Sequence, residues 1–319
     1  MPCREILLHL GSGIGNIVFA TPLLAALAEI GCVTDLIFDA DYPEVAELFE
    51  GWSLVRRIVS EPLPVYDITL PALPPFYWPH RARRYPGRVS RRPPSTLFYQ
   101  NEQEFYLWFA RQLGFAGNPP PPIQLPVAPC SSREVTARTV VLLPGSKTGE
   151  MTTKRWPWFA ALADRFDDVA VLGSHDDATD GLGRHWRWPP YVKNLQGRLS
   201  LRQAAETLAA AGGAVGNDTG LAHIAAAAGV PTVILFGPTP ASTLGTFPSN
   251  VKLLTPSLPC APCWFQDRFA QCDGKISCLA DLGVDLVERT IRASMSVDVT
   301  APKSEGCATQ IWEVSSAGP

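Results

Sequence analysis

The 319 residues are 46% hydrophobic and 18% charged with a net charge of -3, which supplies material for sizeable cores and excludes a disordered or collagen-like chain. The length suits two domains of about 150 residues each, and the near-neutral balance gives no general pull toward nucleic acid. No apolar run reaches the roughly 18 residues that a membrane helix needs.

The nearest approach to such a run, residues 17–28, is interrupted by Thr21 and Pro22. The first residues lack the longer apolar region and small-residue cleavage site of a signal peptide. A cytoplasmic protein is therefore expected, where its eight cysteines are not assumed to pair.

Along the chain, residues 6–10 read as a strand, after which Gly11, Gly13 and Gly15 turn into a helix expected over about 16–30. Strands are expected at 35–39, 54–59 and 66–70, with a helix at 43–49. Such alternation implies βαβ units and a parallel sheet with helices on both faces. From 71 to 100 the pattern dissolves into proline, arginine and aromatic residues, and a helix follows at 102–113. The proline-rich stretch from Asn118 to Pro129 is the best boundary, giving a Rossmann-like domain over 1–128.

The same grammar then restarts. Strands are expected at 139–143, 169–172, 214–216 and 232–236, and helices at 157–165, 201–211, 221–228 and 284–294. This second Rossmann-like domain spans 129–296, and 297–319, with little periodicity, reads as a loose tail. Two doubly wound α/β units in tandem put a ligand cleft between them, at the C-terminal ends of the strands.

The sharpest local signal is Gly216-Asn217-Asp218-Thr219-Gly220-Leu221-Ala222-His223, between a strand and an alanine-rich helix. Asp218 or Thr219 is placed to cap that helix, and free backbone amides beside Gly220 make an anion site suited to a diphosphate. His223, one turn on from Thr219, faces the same site or packs in the core. A second signal is Pro144-Gly145-Ser146-Lys147 followed by Lys154-Arg155-Trp156-Pro157. Here a strand runs into a Gly-Ser turn and a basic pair precedes a helix with Pro157 at its first position. The Ser146 hydroxyl and Lys154 are candidates to hold phosphate oxygens.

Gly11-Ser12-Gly13-Ile14-Gly15-Asn16 follows a strand and opens a helix, with Asp39 about 20 residues on. The third glycine of a dinucleotide fingerprint would fall on Asn16, so a nicotinamide-dependent oxidoreductase stays an alternative on a partial match. Residues 76–101 hold Arg81, Arg83, Arg84, Arg88, Arg91 and Arg92, interleaved with aromatics and free of acidic residues. This is either a solvated loop or a grip for a phosphorylated acceptor, nucleic acid or an anionic membrane surface. Cys260, Cys263, Cys272 and Cys278 crowd into nineteen positions. The first pair has metal-ligand spacing, which suits a structural zinc or iron knuckle, with disulfides or unligated thiols as the alternative.

Taken in order, these motifs resemble glycosyltransferase family 9, the heptosyltransferases of lipopolysaccharide and of proteins. The resemblance runs from 6–24 through Pro144-Gly145-Ser146, Lys154-Arg155-Trp156-Pro157 and Asn194-Leu195-x-Gly197-x-Leu199-Ser200-Leu201. It is strongest at Asn217-Asp218-Thr219-Gly220-x-x-His223 and Phe236-Gly237-Pro238-Thr239. It implies a GT-B fold, two Rossmann-like domains facing each other across a cleft, and inverting transfer with no catalytic metal. The implied donor is a nucleotide-diphosphate sugar such as ADP-heptose, held by the C-terminal domain. The implied acceptor is a glycan, lipopolysaccharide or protein on the N-terminal side, with peripheral contact to the inner membrane and a homo-oligomeric state as further expectations. By this likeness Lys154 sits near the donor's sugar and phosphates and Asp218 touches sugar hydroxyls. Thr219, Gly220 and Ser146 hold the diphosphate, Lys147 and His223 are further donor-binding candidates, and Asp176 or Asp177 meets the ribose. On the acceptor side stand Gly13, Gly15, Arg81 and Arg84.

One departure matters. Many members carry Asp, the proposed general base, where this chain has Asn16, and an amide takes up no proton at neutral pH. Glu102, Glu104 and Asp41 are candidate replacements. A nucleotide-sugar-binding protein without turnover is the alternative that Asn16 raises. Asp39-Ala40-Asp41 also matches the metal-binding D-x-D of the GT-A fold, but two consecutive α/β halves do not fit that fold, so it reads as a strand end.

Overall fold

A computed structural model of the chain describes residues 4–39, 43–78, 84–130, 134–147, 149–181, 183–264, 277–295 and 311–314. The chain divides into two compact units, Met1–Pro126 with Ser242–Thr246, and Val127–Ala241 with Phe247–Pro319. The change at 126/127 lies inside the proline-rich stretch. The excursion of Ser242–Thr246 has no counterpart in a single boundary at 128/129.

In the first unit, β1 (Glu5–Leu10) pairs in parallel with β2 (Val33–Phe38) and with β4 (Ile68–Ala72), while the two-residue β3 (Arg57–Ile58) borders β2. The order is β3-β2-β1-β4. The helix expected over 16–30 is two, α1 (Ile14–Phe19) and α2 (Thr21–Glu29), because Pro22 has no N–H for the helical ladder and fits only a first turn. The expected helix at 43–49 is a 3-10 segment, Pro43–Leu48. The strand expected over 54–59 is shortened to β3. Arg56 and Arg57 there bind the buried Asp35 of β2 at 2.7 Å each, and the Tyr66 hydroxyl donates to the same carboxylate at 2.8 Å. Burial works against that charge, but the donated hydrogen bonds hold the Asp35 carboxyl below its ordinary value.

The patternless stretch 71–100 contains α3 (Ser95–Gln100), which the sequence reading lacks. The following α4 (Glu102–Gln112) starts where Asn101 Oδ1 accepts the Glu104 amide at 3.0 Å. Its buried residues include Phe105, Tyr106 and Phe109, and the helix packs against α1, α2 and α3, Phe105 meeting Phe98 of α3 with ring centroids 5.3 Å apart.

The second unit carries a parallel sheet in the order β11-β10-β9-β8-β5-β6-β7. Its strands are β5 (Val140–Leu143), β6 (Val169–Val171), β7 (Lys193–Asn194), β8 (Gly213–Asn217), β9 (Thr232–Leu235), β10 (Val251–Pro256) and β11 (Ile311–Val314). The last pairs with β10, so the tail expected to be loose adds an edge strand. Its helices are α5 (Phe159–Ala163), α6 (Leu201–Ala209), α7 (Gly220–Ala227), α8 (Ser277–Ala280) and α9 (Val284–Met295). Pro157 stands in the turn before α5 rather than at its first position. A reciprocal Ser200–Gln203 capping box starts α6.

The core gathers Trp156, Phe159, Val171, Val215, Leu235 and Ile291, each full burial favouring the fold by about 1.5–3 kcal/mol. Residues Val284, Val287 and Ile291 repeat at helical spacing along α9. A Cβ placed on Gly213 would stand 2.9 Å from Ile291 Cδ1, so the helix rests on bare strand backbone. Among the described residues no helix is long and apolar enough to cross a membrane.

Candidate active site

In the second unit the chain leaves β5 toward β6 and leaves β8 toward β9, on opposite sides of two neighbouring strands. The C-terminal ends of β5 and β8 therefore open at a topological switch point, where open α/β sheets hold ligands. Both sequence motifs meet there. Asn217, at the end of β8 and fully buried, knits them together. Its Oδ1 accepts the Trp156 amide at 2.9 Å, and its Nδ2 donates to the Pro144 and Gly145 carbonyls at 2.9 and 3.1 Å.

Asp218, the next residue, is the hub. Its Oδ2 accepts Lys154 Nζ at 2.6 Å and the Thr239 hydroxyl at 2.7 Å, and its Oδ1 accepts His223 Nε2 at 2.9 Å. The side chains of Lys154 and Asp218 are only 15% and 8% exposed. Burial alone would push the Asp218 carboxyl up. The adjacent Lys154 ammonium and the His223 hydrogen bond overturn that and hold it well below the usual carboxylate range.

Thr219 occupies the N-cap position of α7 in extended backbone, but no side chain caps the helix; the Thr219 hydroxyl turns back to the Asn217 carbonyl at 3.4 Å. The expectation that Asp218 or Thr219 caps α7 is thus corrected. Lys154 draws Asp218 away, and the first-turn amides starting at Gly220 keep their donors for another acceptor at the positive end of the helix. His223 satisfies both readings offered for it: it is buried beside Phe247, ring centroids 6.0 Å apart, and bonded to Asp218.

The Gly145-Ser146 turn departs from expectation. It already holds an anion, the carboxylate of Asp177, which accepts the Ser146 amide at 3.2 Å, the Ser174 amide at 2.7 Å and Arg155 Nη2 at 3.1 Å. A Cβ on Gly145 would come 2.4 Å from that carboxyl carbon. The Ser146 hydroxyl accepts Arg155 Nε at 3.0 Å and donates to the Lys147 carbonyl at 3.1 Å, so it is spent within the fold. Of the basic pair only Lys154 reaches the Asp218 cluster. Arg155 is 1% exposed and structural. Asp176 is exposed and offers its carbonyl to Arg155, and Lys147 is exposed at the end of the turn.

The first unit gathers a different cluster at the end of β1. Gly11 leaves no room for a side chain, since a Cβ would meet Leu73 Cδ2 at 2.7 Å and Asp39 Cβ at 2.9 Å. Ser12 is a buried non-glycine residue at φ 88, a left-handed conformation that costs about 1–3 kcal/mol and concentrates at functional sites. Its hydroxyl donates to Asn16 Oδ1 at 2.9 Å, Asn16 Nδ2 donates to Glu102 Oε1 at 2.7 Å, and the Tyr106 hydroxyl donates to the same oxygen at 3.3 Å. Gly13 is the N-cap of α1 and Gly15 lies in its first turn, both partly exposed. Glu104 is paired to Arg111 instead, and Arg84 is exposed. Arg81 and Asp41 lie outside the described residues.

Cys260 is exposed, Cys263 and Cys278 are buried, and Cys272 lies outside the described residues. The Cys263 amide donates to the Pro238 carbonyl, and a Cβ on Gly237 would sit 3.1 Å from Cys278 Sγ, so both residues flank the turn that carries Thr239. Among the described residues no group of three or more His, Cys, Asp or Glu could hold a metal ion.

The fold is that of the GT-B glycosyltransferases. The structure of E. coli ADP-heptose lipopolysaccharide heptosyltransferase II superposes at a TM-score of 0.65 and 21% identity, over 91% of this chain and 98% of that one. The iron-containing dodecameric glycosyltransferase TibC of enterotoxigenic E. coli gives 0.63 at 15% identity, over 92% and 76%. The model of glycosyltransferase family 9 (heptosyltransferase) matches residues 109–272, just over half of the sequence, and the chain belongs to that family. Lipopolysaccharide heptosyltransferase 1 of Pseudomonas aeruginosa is 48% identical over 66 residues, 21% of this chain. The matched stretches span between 19% and 30% of the length of the curated relatives. Family membership leaves the nicotinamide alternative without support.

Sequence reasoning missed Asn217 and Asp177 as the residues that build the two turns, and Thr239 as the third donor to Asp218. The Phe236–Thr239 motif was the available signal for Thr239.

Proposed function

We propose that the protein is a glycosyltransferase that moves a heptose or related hexose, with inversion, from a nucleotide-diphosphate sugar of the ADP-heptose type to a glycan, lipopolysaccharide or protein acceptor. The observation that carries this reading is the Lys154–Asp218–His223–Thr239 cluster beside the uncapped start of α7 at the switch point. In the reaction, the acceptor oxygen attacks the anomeric carbon and the bond to the diphosphate breaks. Lys154 and the α7 amides at Gly220 meet the charge that develops on the leaving group. Asp218 orients Lys154 through the 2.6 Å ion pair and accepts hydrogen bonds from sugar hydroxyls.

The state of Asp218 supports inversion. A carboxylate already engaged by ammonium, imidazole and hydroxyl is a poor covalent nucleophile, which favours one displacement over two. The exposed arginines at 84, 88, 91 and 92 supply the positive charge for an anionic acceptor or a peripheral membrane contact. Cys260, Cys263, Cys272 and Cys278 are soft donors suited to a structural zinc or iron ion that would brace the Gly237–Thr239 turn; metal analysis of the purified protein tests this.

Transfer is tested by following ADP release from ADP-heptose and reading the anomeric configuration of the product by NMR. Release with retained configuration would contradict the single displacement. Binding of ADP-heptose without release, in the presence of a lipopolysaccharide core acceptor, would favour the non-catalytic alternative.

A further inference from the structure

On the proposed function Asp218 accepts sugar hydroxyls, yet much of its capacity to accept is already taken. An ionised carboxylate offers about four acceptor positions on its two oxygens. Asp218 Oδ2 accepts Lys154 Nζ at 2.6 Å and the Thr239 hydroxyl at 2.7 Å, and Oδ1 accepts His223 Nε2 at 2.9 Å. About one position, on Oδ1, is left for a ligand. A sugar carries hydroxyls on neighbouring carbons, so a site that recognises it by direct hydrogen bonds needs a further acceptor close to Asp218.

Thr239 stands in that place. It is partly exposed, in the turn that follows β9 and the buried Phe236. The turn is braced from two sides. The Pro238 carbonyl accepts both the Cys263 amide at 3.0 Å and the Trp264 amide at 2.7 Å. A Cβ on Gly237 would come 2.7 Å from Leu279 Cγ, so the backbone there rests on that side chain. On the Asp218 side, its own amide donates to the Leu235 carbonyl at 3.1 Å and ties the end of β8 to the end of β9. Backbone contacts therefore set the distance between the Thr239 hydroxyl and the Asp218 carboxylate. The one hydroxyl proton goes to Asp218, which leaves Thr239 Oγ1 to face a ligand as an acceptor. Donation to a charged group polarises the hydroxyl and strengthens it in that role.

We propose that Thr239 is a specificity-determining residue of this site, its Oγ1 accepting one hydroxyl of the transferred sugar while Asp218 Oδ1 accepts another. The assignment rests on the transferase reading above. It divides the work within the second unit: Lys154 and the start of α7 meet the diphosphate, and the turn after β9 reads the sugar. A site built to hydrogen-bond a substrate hydroxyl rejects the analogue that lacks it, because its own polar group is then left unpaired. The contribution of Thr239 therefore belongs to the sugar nucleotide and is absent from the free nucleoside diphosphate.

The test titrates ADP, ADP-heptose and monodeoxy analogues of ADP-heptose calorimetrically into wild type, Thr239→Val and Thr239→Ser. Valine keeps the shape of threonine without the oxygen, and serine keeps the oxygen. Thr239→Val is expected to lower the affinity for ADP-heptose relative to ADP by about tenfold, the worth of one hydrogen bond. Its ADP affinity stays close to wild type, which shows that the folded site persists, and Thr239→Ser restores the ratio. One monodeoxy analogue should weaken binding to wild type and leave binding to Thr239→Val unchanged, the non-additivity of two groups in contact. An unchanged ratio in Thr239→Val overturns the assignment and leaves the transferase intact. So does a set of analogues that each cost Thr239→Val as much as wild type, since Thr239 would then act only by holding Asp218. A wild type that binds neither ligand, or ADP without ADP-heptose, overturns the proposed donor and this assignment together.

Discussion

Two buried carboxylates, Asp218 in the second unit and Glu102 in the first, stand beyond the C-terminal ends of parallel strands. They differ in who donates to them. Asp218 receives an ammonium, an imidazole and a hydroxyl within 2.9 Å and is locked in its charged form. Glu102 receives an amide at 2.7 Å and a phenol at 3.3 Å. A carboxylate locked by a cation can organise charge in a site but cannot exchange a proton near neutral pH. The two carboxylates thus stand among different partners in the two units.

The contrast breaks most severely at Lys154. Lys154→Ala should lower the rate of ADP release by about 10²–10³, the usual effect of deleting one donor to developing charge. It also leaves Asp218 buried without its cation. The loss in unfolding free energy should be near 3 kcal/mol, the lower end for a broken buried pair because Lys154 is partly exposed. Steady-state kinetics and urea unfolding read the two effects separately.

Asp218→Asn should change how stability depends on pH. A carboxyl whose native pKa is depressed contributes stability that is fully present above the unfolded-state value of about 3.9. That contribution is lost progressively as pH falls through the depressed native value. The stability difference between wild type and Asp218→Asn should therefore be flat from pH 8 to about 5 and shrink below about 4. A difference that changes between pH 6 and 8 would mean that Asp218 is not locked.

Gly145→Ala probes the turn filled by Asp177. Overpacking of this kind costs about 1–3 kcal/mol, and the added methyl would press on the Asp177 carboxylate. Thermal unfolding should register a fall of several degrees. Ser12→Gly should be the mildest, because relief of left-handed strain and loss of one hydrogen bond offset to within about 1 kcal/mol. Its melting temperature should barely move while turnover falls a few-fold, Asn16 having lost the contact that orients it.

Most of the parallel architecture could be read from apolar runs at 6–10, 139–143 and 232–236 and from the glycines that follow the first two. What escaped was set by tertiary contacts. The helix expected over 16–30 splits because Pro22 cannot continue the ladder, and the strand expected over 54–59 is shortened to β3. The 311–314 strand carries no periodicity of its own and exists through pairing with β10. In the site, Asp218, His223 and Lys154 were visible as motif residues, because turns between strand and helix follow recognisable grammar. The Asp177 carboxylate in the Gly145 turn was not visible, since a ligand's anion and the chain's own leave the same glycine signature. Nor does spacing reveal which of two adjacent basic residues, Lys154 or Arg155, faces the cluster.

On the proposed function, the second unit holds a nucleoside diphosphate at Lys154 and the start of α7. Calorimetric titration of ADP into wild type and Lys154→Ala, with UDP and GDP as controls, tests that claim most directly. Saturable ADP binding by the wild type, weakened at least tenfold in Lys154→Ala, is the predicted result. Binding of none of the three nucleotides, or ADP binding indifferent to Lys154, would contradict it.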